Sequence, residues 1–347
     1  MRARETFVIR LAGVVACILC SASIAAAQVA YVKVAEIPIG GVGAFDYLNV
    51  DSAAKRLYVT HGTEIVVIDM TTNKVVGKIA DTPRVHGIAI VPELGRGFTT
   101  NGGENKVSII DLKTLATISK VETGANPDAV AYDPAKKEIY TFNGAQKGGF
   151  SATVIDAANG TVVATVDLGD KPETGQVDPA LGRVFVNLEN KNLVGVIDTA
   201  THKKIAEWPV TPADGPTGMA IDTLSKRLFV GGDKLALVDY TTGKVVTSVA
   251  ICEGTDATWY DVANKLVFNS CGDGHITITR FEAPNKLTVV STLATTRGAR
   301  TMAYDPATRR IYTAAQKYEA PAAGAAPGAR PTAVPESFHV LVFEVKQ

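Results

Sequence analysis

The sequence predicts an all-β fold, a seven-bladed β-propeller built from four-stranded antiparallel blades. Short apolar runs rich in Val, Ile, Tyr, Phe and Thr alternate with turns rich in Asp, Asn, Gly and Pro, which is typical of strands and their connections. The runs recur in groups of four with the spacing of a propeller blade. A surplus strand near the amino end also matches a missing strand near the carboxyl end, as ring closure requires.

The repeating unit is clearest in residues 127–169. Its four strand-like runs are residues 129–132, 138–142, 152–155 and 161–166. The last two are joined by a turn that contains Asn159-Gly160, a pair that adopts the positive φ of a tight hairpin. One such meander cannot bury both of its faces, so it must stack on copies of itself.

The copies are visible at two positions of the repeat. The residue that ends the first strand recurs at intervals of 39 to 45 residues, as Asp51, Val91, Asp133, Asp178, Asp222, Asp261 and Asp305. The residue that ends the third strand recurs as Asp69, Asp111, Asp156, Asp198 and Asp239. An open β-solenoid is the structural alternative, but its repeats are shorter than these. The seven copies therefore indicate a propeller.

The two ends of the chain complement each other. Residues 31–37 form a strand without a blade of its own. The last blade supplies only three strands, at 301–304, 310–314 and 339–345, before the chain ends. The surplus strand is therefore expected to complete blade seven, which closes the ring and covers a sheet edge.

Residues 1–27 are expected to be an export signal, which leaves residues 28–347 as one propeller domain. The segment begins with Arg2, Arg4 and Arg10, continues with an apolar run, and ends in Ala25-Ala26-Ala27 before Gln28. The apolar run is too short to span a membrane, so no transmembrane segment is expected after its removal. A lipoprotein signal ending at Cys17 is the alternative. We expect a periplasmic or secreted protein.

The remaining composition restricts the partners. Without the signal, 32 basic and 34 acidic residues remain, a balance that offers no electrostatic basis for nucleic-acid binding. Two cysteines also remain, Cys252 before the first strand of blade six and Cys271 after the second. Antiparallel neighbours at these positions come within disulfide reach, and an oxidising compartment permits the bond. Two free thiols are the alternative.

One register of the repeat predicts a ring of polar side chains at the mouth of the central channel. Five residues before the end of each first strand stand Asp46, His86, Asp128, Glu173, Thr217, Asp256 and Arg300. Loop positions on the same face are Thr60, His61, Asn101, Asn143, Asn187 and Ser270. The six charged or titratable residues of the ring are the predicted ligand-binding residues. The alternative is a structural network, since perturbed carboxylates occur in both settings.

The ring predicts a site for a cation rather than a catalytic centre. Its four carboxylates and Arg300 give a charge near −3, which a divalent cation, an amine or a partner's Lys or Arg would offset. The metal candidates are Asp46, His61 and His86, because imidazole and carboxylate suit several metals. The sequence contains no GxSxG, HExxH, P-loop, EF-hand or CxxCH motif and assigns no catalytic residue.

The loops on this face carry the length variation. Residues 317–338 of blade seven include an Ala-, Pro- and Gly-rich stretch with little to bury. We predict that this insertion is mobile.

The repeats resemble a known family. Lys55-Arg56-Leu57-Tyr58-Val59-Thr60, followed by a Val-Ile-Asp strand and a Val-Val strand, is similar to the YVTN-type β-propeller repeat, and residues 226–246 are close to it too. His61 stands where Asn is usual, and blades six and seven lack the Asp of the third strand. The resemblance implies a propeller and export. It supplies no catalytic residue, because the motif is structural.

These observations favour an exported, non-catalytic binding or scaffold protein whose partner is a protein or a small cationic ligand. A metal-assisted, lactonase-like hydrolase remains the alternative, together with a propeller subunit of a periplasmic redox system. A hydrolase would need a metal or a water-activating base among the ring residues, whereas binding would need neither.

Overall fold

A computed structural model of the protein describes residues 29–41, 43–144, 147–319 and 332–346. The described chain forms seven four-stranded antiparallel sheets, which confirms the predicted propeller. The export signal predicted for residues 1–27 lies outside the described residues. None of the described residues forms a helix with the length and apolar character needed to cross a bilayer.

The strands follow one another blade by blade, except that the first belongs to the last blade. The first strand is β1 (Tyr31–Pro38). Blade one contains β2 (Leu48–Asp51), β3 (Arg56–His61), β4 (Glu64–Asp69) and β5 (Lys74–Ile79). Blade two contains β6 (Val85–Val91), β7 (Arg96–Asn101), β8 (Lys106–Asp111) and β9 (Thr117–Glu122), with a 3₁₀ turn at Pro92–Leu94. Blade three contains β10 (Pro127–Asp133), β11 (Glu138–Asn143), β12 (Ser151–Asp156) and β13 (Val162–Asp167).

The second half of the chain continues the pattern. Blade four contains β14 (Pro172–Asp178), β15 (Arg183–Leu188), β16 (Leu193–Asp198) and β17 (Lys203–Pro209). Blade five contains β18 (Gly218–Asp222), β19 (Arg227–Gly231), β20 (Lys234–Asp239) and β21 (Lys244–Ala250). Blade six contains β22 (Thr255–Asp261), β23 (Leu266–Cys271), β24 (His275–Glu282) and β25 (Lys286–Ala294). Blade seven contains β26 (Met302–Asp305), β27 (Arg310–Ala315) and β28 (His339–Val345).

The amino-terminal strand closes the ring, as predicted. β1 pairs antiparallel with β28 along its whole length, from Tyr31 opposite Val345 to Pro38 opposite His339. The sheet of blade seven therefore has the order β1-β28-β27-β26. The pairing joins the two ends of the chain in one blade and covers an edge of β28 that would otherwise be open.

The core is divided among the interfaces between neighbouring blades. Each of the seven interfaces holds an apolar cluster drawn from the two blades that meet there. The cluster between blades seven and one contains Ile37 of β1, which is only 3% exposed. The outermost strands are largely exposed, as in β5 and β9. Burial therefore depends on stacking between blades, as the repeat predicted.

The repeated aspartates stabilise turns and also connect blades. Asp51 accepts a hydrogen bond from the Ala54 amide at 2.9 Å, as an Asp side chain commonly does in a turn. Asp178 of blade four has a second role that the sequence did not reveal, because its carboxylate accepts the hydroxyl of Tyr240 from blade five at 2.7 Å. Tyr304 of blade seven donates in the same way to Asp261 of blade six, at 2.5 Å.

The two ends of the predicted mobile insertion are paired with each other. Tyr318 forms a β-bridge with Ala333, and the Val334 amide donates to the Lys317 carbonyl at 2.9 Å. Phe338 at the end of the insertion is fully buried. Backbone hydrogen bonds and apolar burial therefore connect these ends to each other and to the propeller, and the mobility predicted for residues 317–338 stays a prediction. Residues 320–331 lie outside the described residues.

Cys252 and Cys271 are joined in blade six. Their sulfur atoms lie 2.00 Å apart, and their Cα atoms 5.8 Å apart. Cys271 ends β23 and is fully buried, and its Cα partner across the sheet is Thr255. The bond ties the loop before β22 to the end of β23, on the face where the channel mouth lies.

Deleting residues 31–39 is expected to lower the melting temperature or cause aggregation, because β28 then presents an unpaired edge. Thermal unfolding and size-exclusion chromatography measure the two outcomes. A deletion variant as stable and as monodisperse as the parent would contradict closure by β1.

Two point variants separate packing from edge pairing. Ile37→Ala removes buried apolar volume and is expected to lower the free energy of unfolding by about 2–5 kcal/mol. Val34→Ala in the same strand is the matched control, since Val34 is 47% exposed and its truncation should change stability by less than about 0.5 kcal/mol.

Replacing both cysteines by serine is expected to lower the free energy of unfolding by about 3 kcal/mol, because the bond closes a loop with a sequence separation of 19. Urea denaturation of the parent and the double variant measures this difference. Thiol titration of the unfolded, unreduced protein that starts at Gln28 should find no free thiol. Two reactive thiols per chain would show that the bond does not form in solution.

Candidate functional site

The predicted ring residues lie at one level of the innermost strands, where local irregularities set their direction. Four of them lie within an innermost strand, and a register shift of the β ladder occurs at each: His86, Asp128, Glu173 and Asp256. Such bulges re-aim a side chain relative to the regular pleat. Asp46, Thr217 and Arg300 precede β2, β18 and β26. Backbone geometry therefore places these residues at one end of the channel.

Neighbouring blades hold the backbone of this ring in place. Thr100 donates its hydroxyl to the Asp128 carbonyl at 2.5 Å, and Thr301 donates to the Asp46 carbonyl at 2.8 Å. Thr217, the uncharged member of the ring, donates to the Thr255 carbonyl at 2.6 Å. These bonds run from one blade to the next, so the ring is fixed by inter-blade contacts.

The loop positions expected on this face support the ring or their own blade. The Thr60 hydroxyl accepts the Asp46 amide at 2.9 Å, and the Ser270 hydroxyl donates to the Arg300 carbonyl. Asn187 donates to the Gly218 carbonyl at 3.0 Å. The side-chain amides of Asn101 and Asn143 donate hydrogen bonds within their own blades, to the hydroxyls of Ser108 and Thr153 respectively. The structural interpretation therefore fits these positions.

One ring nitrogen of His86 faces two carboxylates. Its Nδ1 is 2.7 Å from Asp46 Oδ2 and 3.6 Å from Asp128 Oδ1. Gly102 packs behind the imidazole, where a Cβ would lie 2.8 Å from Nε2, so a side chain at that position would displace the ring. Burial lowers the pKa of His86, but the hydrogen bond to Asp46 and the charge of Asp128 outweigh it and raise this pKa above its ordinary value.

This group could hold a metal ion. One ligand atom from each of Asp46, His86 and Asp128 lies within 4.8 Å of the others. One imidazole nitrogen and two carboxylate oxygens suit divalent transition metals. Two of the three predicted metal candidates, Asp46 and His86, thus come together, with Asp128 as the third member.

His61 is not part of this group. Its ring stacks on Phe338, with centroids 4.1 Å apart and planes inclined by 7°. It is buried beside Gly41 and Gly43, each of which would place a Cβ within 3.3 Å of the imidazole. Burial lowers the pKa of His61, so its neutral form is favoured. Its position makes it a packing residue of the closure between blades seven and one.

Asp128 is the least compensated carboxylate of the ring. Its side chain is 16% exposed and accepts no hydrogen bond from the described residues, and His86 Nδ1 is 3.6 Å away. Burial raises the pKa of Asp128 to about 6, a shift that His86 reduces and Asp46 increases. A cation that entered the mouth would stabilise the ionised form of this group.

The other two carboxylates each have a basic partner. Arg300 Nε lies 2.6 Å from Asp256 Oδ2, and Lys171 Nζ lies 2.6 Å from Glu173 Oε1. Burial raises the pKa of Asp256 to about 7 despite Arg300. Burial and the charge of Asp128 likewise raise the pKa of Glu173, and Lys171 opposes that shift.

Lys171 adds a positive charge beside the ring that was not predicted. It lies two residues before Glu173 and also contacts Glu189 at 2.5 Å. Because Glu189 brings a negative charge of its own, the formal count near −3 is unchanged when both residues are included. Lys171 was not predicted, because it lies outside the register five residues before each strand end. The register two residues earlier also contains Arg84, and this recurrence of basic residues was the available signal.

A cavity lies along the channel. Its volume is about 300 Å³, and its walls come from the innermost strands of all seven blades. Tyr47 lines it directly after the ring residue Asp46. Burial raises the pKa of Tyr47 well above its ordinary value, and the charges of all four ring carboxylates raise it further. The charges of the ring carboxylates therefore act on the Tyr47 hydroxyl, and the Tyr47 side chain lines the cavity. Tyr47 was not predicted, because no aromatic residue recurs at the equivalent position of the other blades.

The described geometry supports binding of positive charge. Four buried or half-buried carboxylates meet at one mouth, and one of them, Asp128, receives no hydrogen bond from the described residues. The same carboxylates and His86 could also polarise a metal-bound water, which is the chemistry that the hydrolase alternative needs.

Comparisons with known proteins support the fold and leave the function open. No family model matches the sequence. The uncharacterized protein YncE of Salmonella typhi is 28% identical over 151 residues, as is YncE of Salmonella typhimurium. Each match covers 42% of this chain and 42% of the relative, so the chain spans about two-fifths of the length of these curated relatives.

Two solved structures have similar architecture. A chain of the Kuenenia stuttgartiensis hydrazine synthase has a TM-score of 0.69 at 14% identity, covering 81% of this chain and 94% of that chain. A chain in a crystal structure of the mitotic checkpoint complex has a TM-score of 0.71 at 12% identity and covers 99% of both chains. Because these identities are low, both show the fold alone.

Asp256→Asn is expected to weaken the pH dependence of stability. The pKa of Asp256 rises on folding from an ordinary 3.8 to about 7, so between these values the folded state binds this proton more tightly than the unfolded state. The contribution of Asp256 to stability is therefore present at low pH and falls as the pH rises towards 7. Urea denaturation in steps from pH 4 to 8 should show a shallower decline for the variant.

Asp167→Asn is the matched control for this prediction. Asp167 ends β13 and is exposed, so its variant should keep the slope of the parent. The same slope in the parent, the control and Asp256→Asn would show that Asp256 does not retain its proton on folding.

Proposed function

We propose that this protein is an exported, non-catalytic binding protein whose channel mouth takes a cation or a cationic group. The observation that carries the proposal is Asp128, a mostly buried carboxylate that accepts no hydrogen bond from the described residues and shares the Nδ1 atom of His86 with a second carboxylate, Asp46. A positive charge from outside would stabilise this arrangement.

Two sources of positive charge fit the mouth. A small ligand can supply a metal ion or an ammonium group, and a protein partner can supply a Lys or Arg side chain. A propeller commonly serves as a scaffold for proteins, and the similar chain in the mitotic checkpoint structure belongs to a complex. The acidic mouth and the loops around it form the surface on which either source would bind.

Export is part of the proposal. Its support is the basic and apolar segment at residues 1–27, which ends in three alanines before Gln28. The Cys252–Cys271 bond suits a periplasmic or secreted protein, since disulfides persist in oxidising compartments.

A metal-assisted hydrolase of the lactonase type is the second candidate. The group formed by Asp46, His86 and Asp128 favours it, because a bound divalent metal would activate water there. A propeller subunit of a periplasmic redox system is a further form of the alternative, supported only by the shared fold with a chain of hydrazine synthase. Metal analysis of protein purified without chelators, combined with a lactone hydrolysis assay, separates the hydrolase from a binding protein.

The proposal predicts that a cation stabilises the parent protein. Thermal shift and calorimetry against Ca²⁺, Mg²⁺, Zn²⁺, Cu²⁺ and spermidine are the measurements. A ligand of the folded state present at about 100 times its Kd adds about 2.7 kcal/mol to the free energy of unfolding. The double variant Asp128→Asn with Asp256→Asn is expected to lose most of this response.

A matched double variant controls for the change in net charge. Asp81→Asn with Asp167→Asn removes two exposed carboxylates and should respond to the cation as the parent does. If no cation shifts the parent, or if the Asp128 and Asp256 double variant responds like the parent, the ring is a structural network and the proposal is wrong.

A further inference from the structure

The cavity continues directly from the acidic mouth. Its lining residues follow the ring residues by one to four positions along each innermost strand. They begin with Tyr47 after Asp46, Gly87 after His86, Ala129 after Asp128, Thr174 after Glu173 and Ala257 after Asp256. Because the innermost strands run along the channel, the carboxylates form one end of this space. Its volume of about 300 Å³ is at the lower end of the range for small-molecule sites and has room for about ten water-sized groups.

The wall of the cavity has more apolar than polar surface. Ile88, Met219 and Met302 contribute apolar surface. Two of the larger polar side chains on the wall donate their hydrogen bonds to neighbouring strands. Gln176 donates to the Met219 carbonyl at 2.9 Å, and Trp259 donates to the Met302 carbonyl at 2.8 Å. The space behind the carboxylates therefore suits an apolar group.

Tyr47 joins the two environments. It follows Asp46 in the chain and lines the cavity beside Gly87, where a Cβ would lie 3.5 Å from Tyr47 Cδ2. The face of an aromatic ring attracts a cation, most strongly when the cation is desolvated. An ammonium group at the mouth would thus meet carboxylates and an aromatic ring together, whereas an alkyl group attached to it would enter the cavity.

We propose that the occupant of the mouth is an organic ammonium ion with an apolar body, whose charged end lies among Asp46, Asp128 and Asp256 and whose body fills the cavity beneath. This inference rests on the proposed cation site and names its ligand class. A bare metal ion would use only the Asp46, His86 and Asp128 group and leave the cavity without a role. A Lys side chain of a partner would enter with its hydrocarbon stem pointing outwards, which is the opposite orientation.

A chain-length series tests the inference. Calorimetry on the protein that starts at Gln28 compares methylammonium, butylammonium and hexylammonium with hexan-1-ol, hexanoate, Mg²⁺ and Zn²⁺. We expect affinity to increase by up to about fourfold for each added methylene, the amount that full burial of a CH₂ provides. Hexan-1-ol and hexanoate should bind at least tenfold more weakly than hexylammonium.

The outcomes separate this inference from the proposed function. If methylammonium or a metal binds, the Asp128 and Asp256 double variant abolishes it, and chain length has no effect, the inference fails and the proposed function stands. If hexan-1-ol binds as tightly as hexylammonium, the cavity takes apolar groups without regard to charge and the inference also fails. If no cation binds, both are wrong.

Variants of Tyr47 test the junction. Tyr47→Phe keeps the aromatic ring and should bind hexylammonium within about twofold of the parent. Tyr47→Leu removes the ring and should bind about fivefold more weakly, which corresponds to the lower range of a cation–π contact. Melting temperatures of both variants establish that they are folded. Equal affinities for the Phe and Leu variants would overturn the role assigned to the aromatic ring.

Discussion

The packing of one blade against the next is the constraint on which this structure depends. A four-stranded meander has two faces, and only a neighbour can bury the second. The apolar clusters accordingly lie between blades, and polar bonds follow the same interfaces, as when Tyr240 reaches Asp178 of the preceding blade. An open ring would leave one such interface without a partner. The pairing of β1 with β28 therefore completes the blade on which the seventh interface depends, where Ile37 and Phe338 are buried.

Closure has an electrostatic consequence at the axis. Seven innermost strands converge there, so residues at one register of the repeat become neighbours although they are about 40 residues apart in the chain. Asp46 and His86 meet in this way at 2.7 Å. The mouth is partly removed from water, so each additional carboxylate costs more than it would on an open surface. Arg300 and Lys171 offset part of this cost for Asp256 and Glu173, whereas the described part of the chain gives Asp128 only the more distant contact with His86.

The sequence predicted the fold and the membership of the ring because both follow from periodicity. An Asp that ends a strand is a local turn signal, and its recurrence fixes the register, so counting back five residues reached Asp46, Asp128 and Asp256. The direction of the side chains could not be predicted this way, since the bulges at Pro127–Asp128 and Thr255–Asp256 depend on how neighbouring strands pair. Lys171 lies outside this register, so periodicity did not point to it. The packing of His61 against Phe338 joins residues far apart in the chain, so it could not be predicted from the local pattern that made His61 a metal candidate.

The uncharged member of the ring indicates that the carboxylates are not needed for closure. Thr217 stands at the same register as Asp128 and Asp256, and its hydroxyl bonds to the backbone of blade six. The neighbouring blades hold the backbone at Asp128 and Asp46 with hydroxyl groups too, from Thr100 and Thr301, without using the carboxylates. Packing between blades therefore accepts a neutral side chain at this level. A buried carboxylate that the scaffold does not require lowers stability, and departures of this kind from what the fold needs are expected at functional sites. This argument supports the proposal that the acidic mouth binds a ligand, since the carboxylates are not required to hold the blades together.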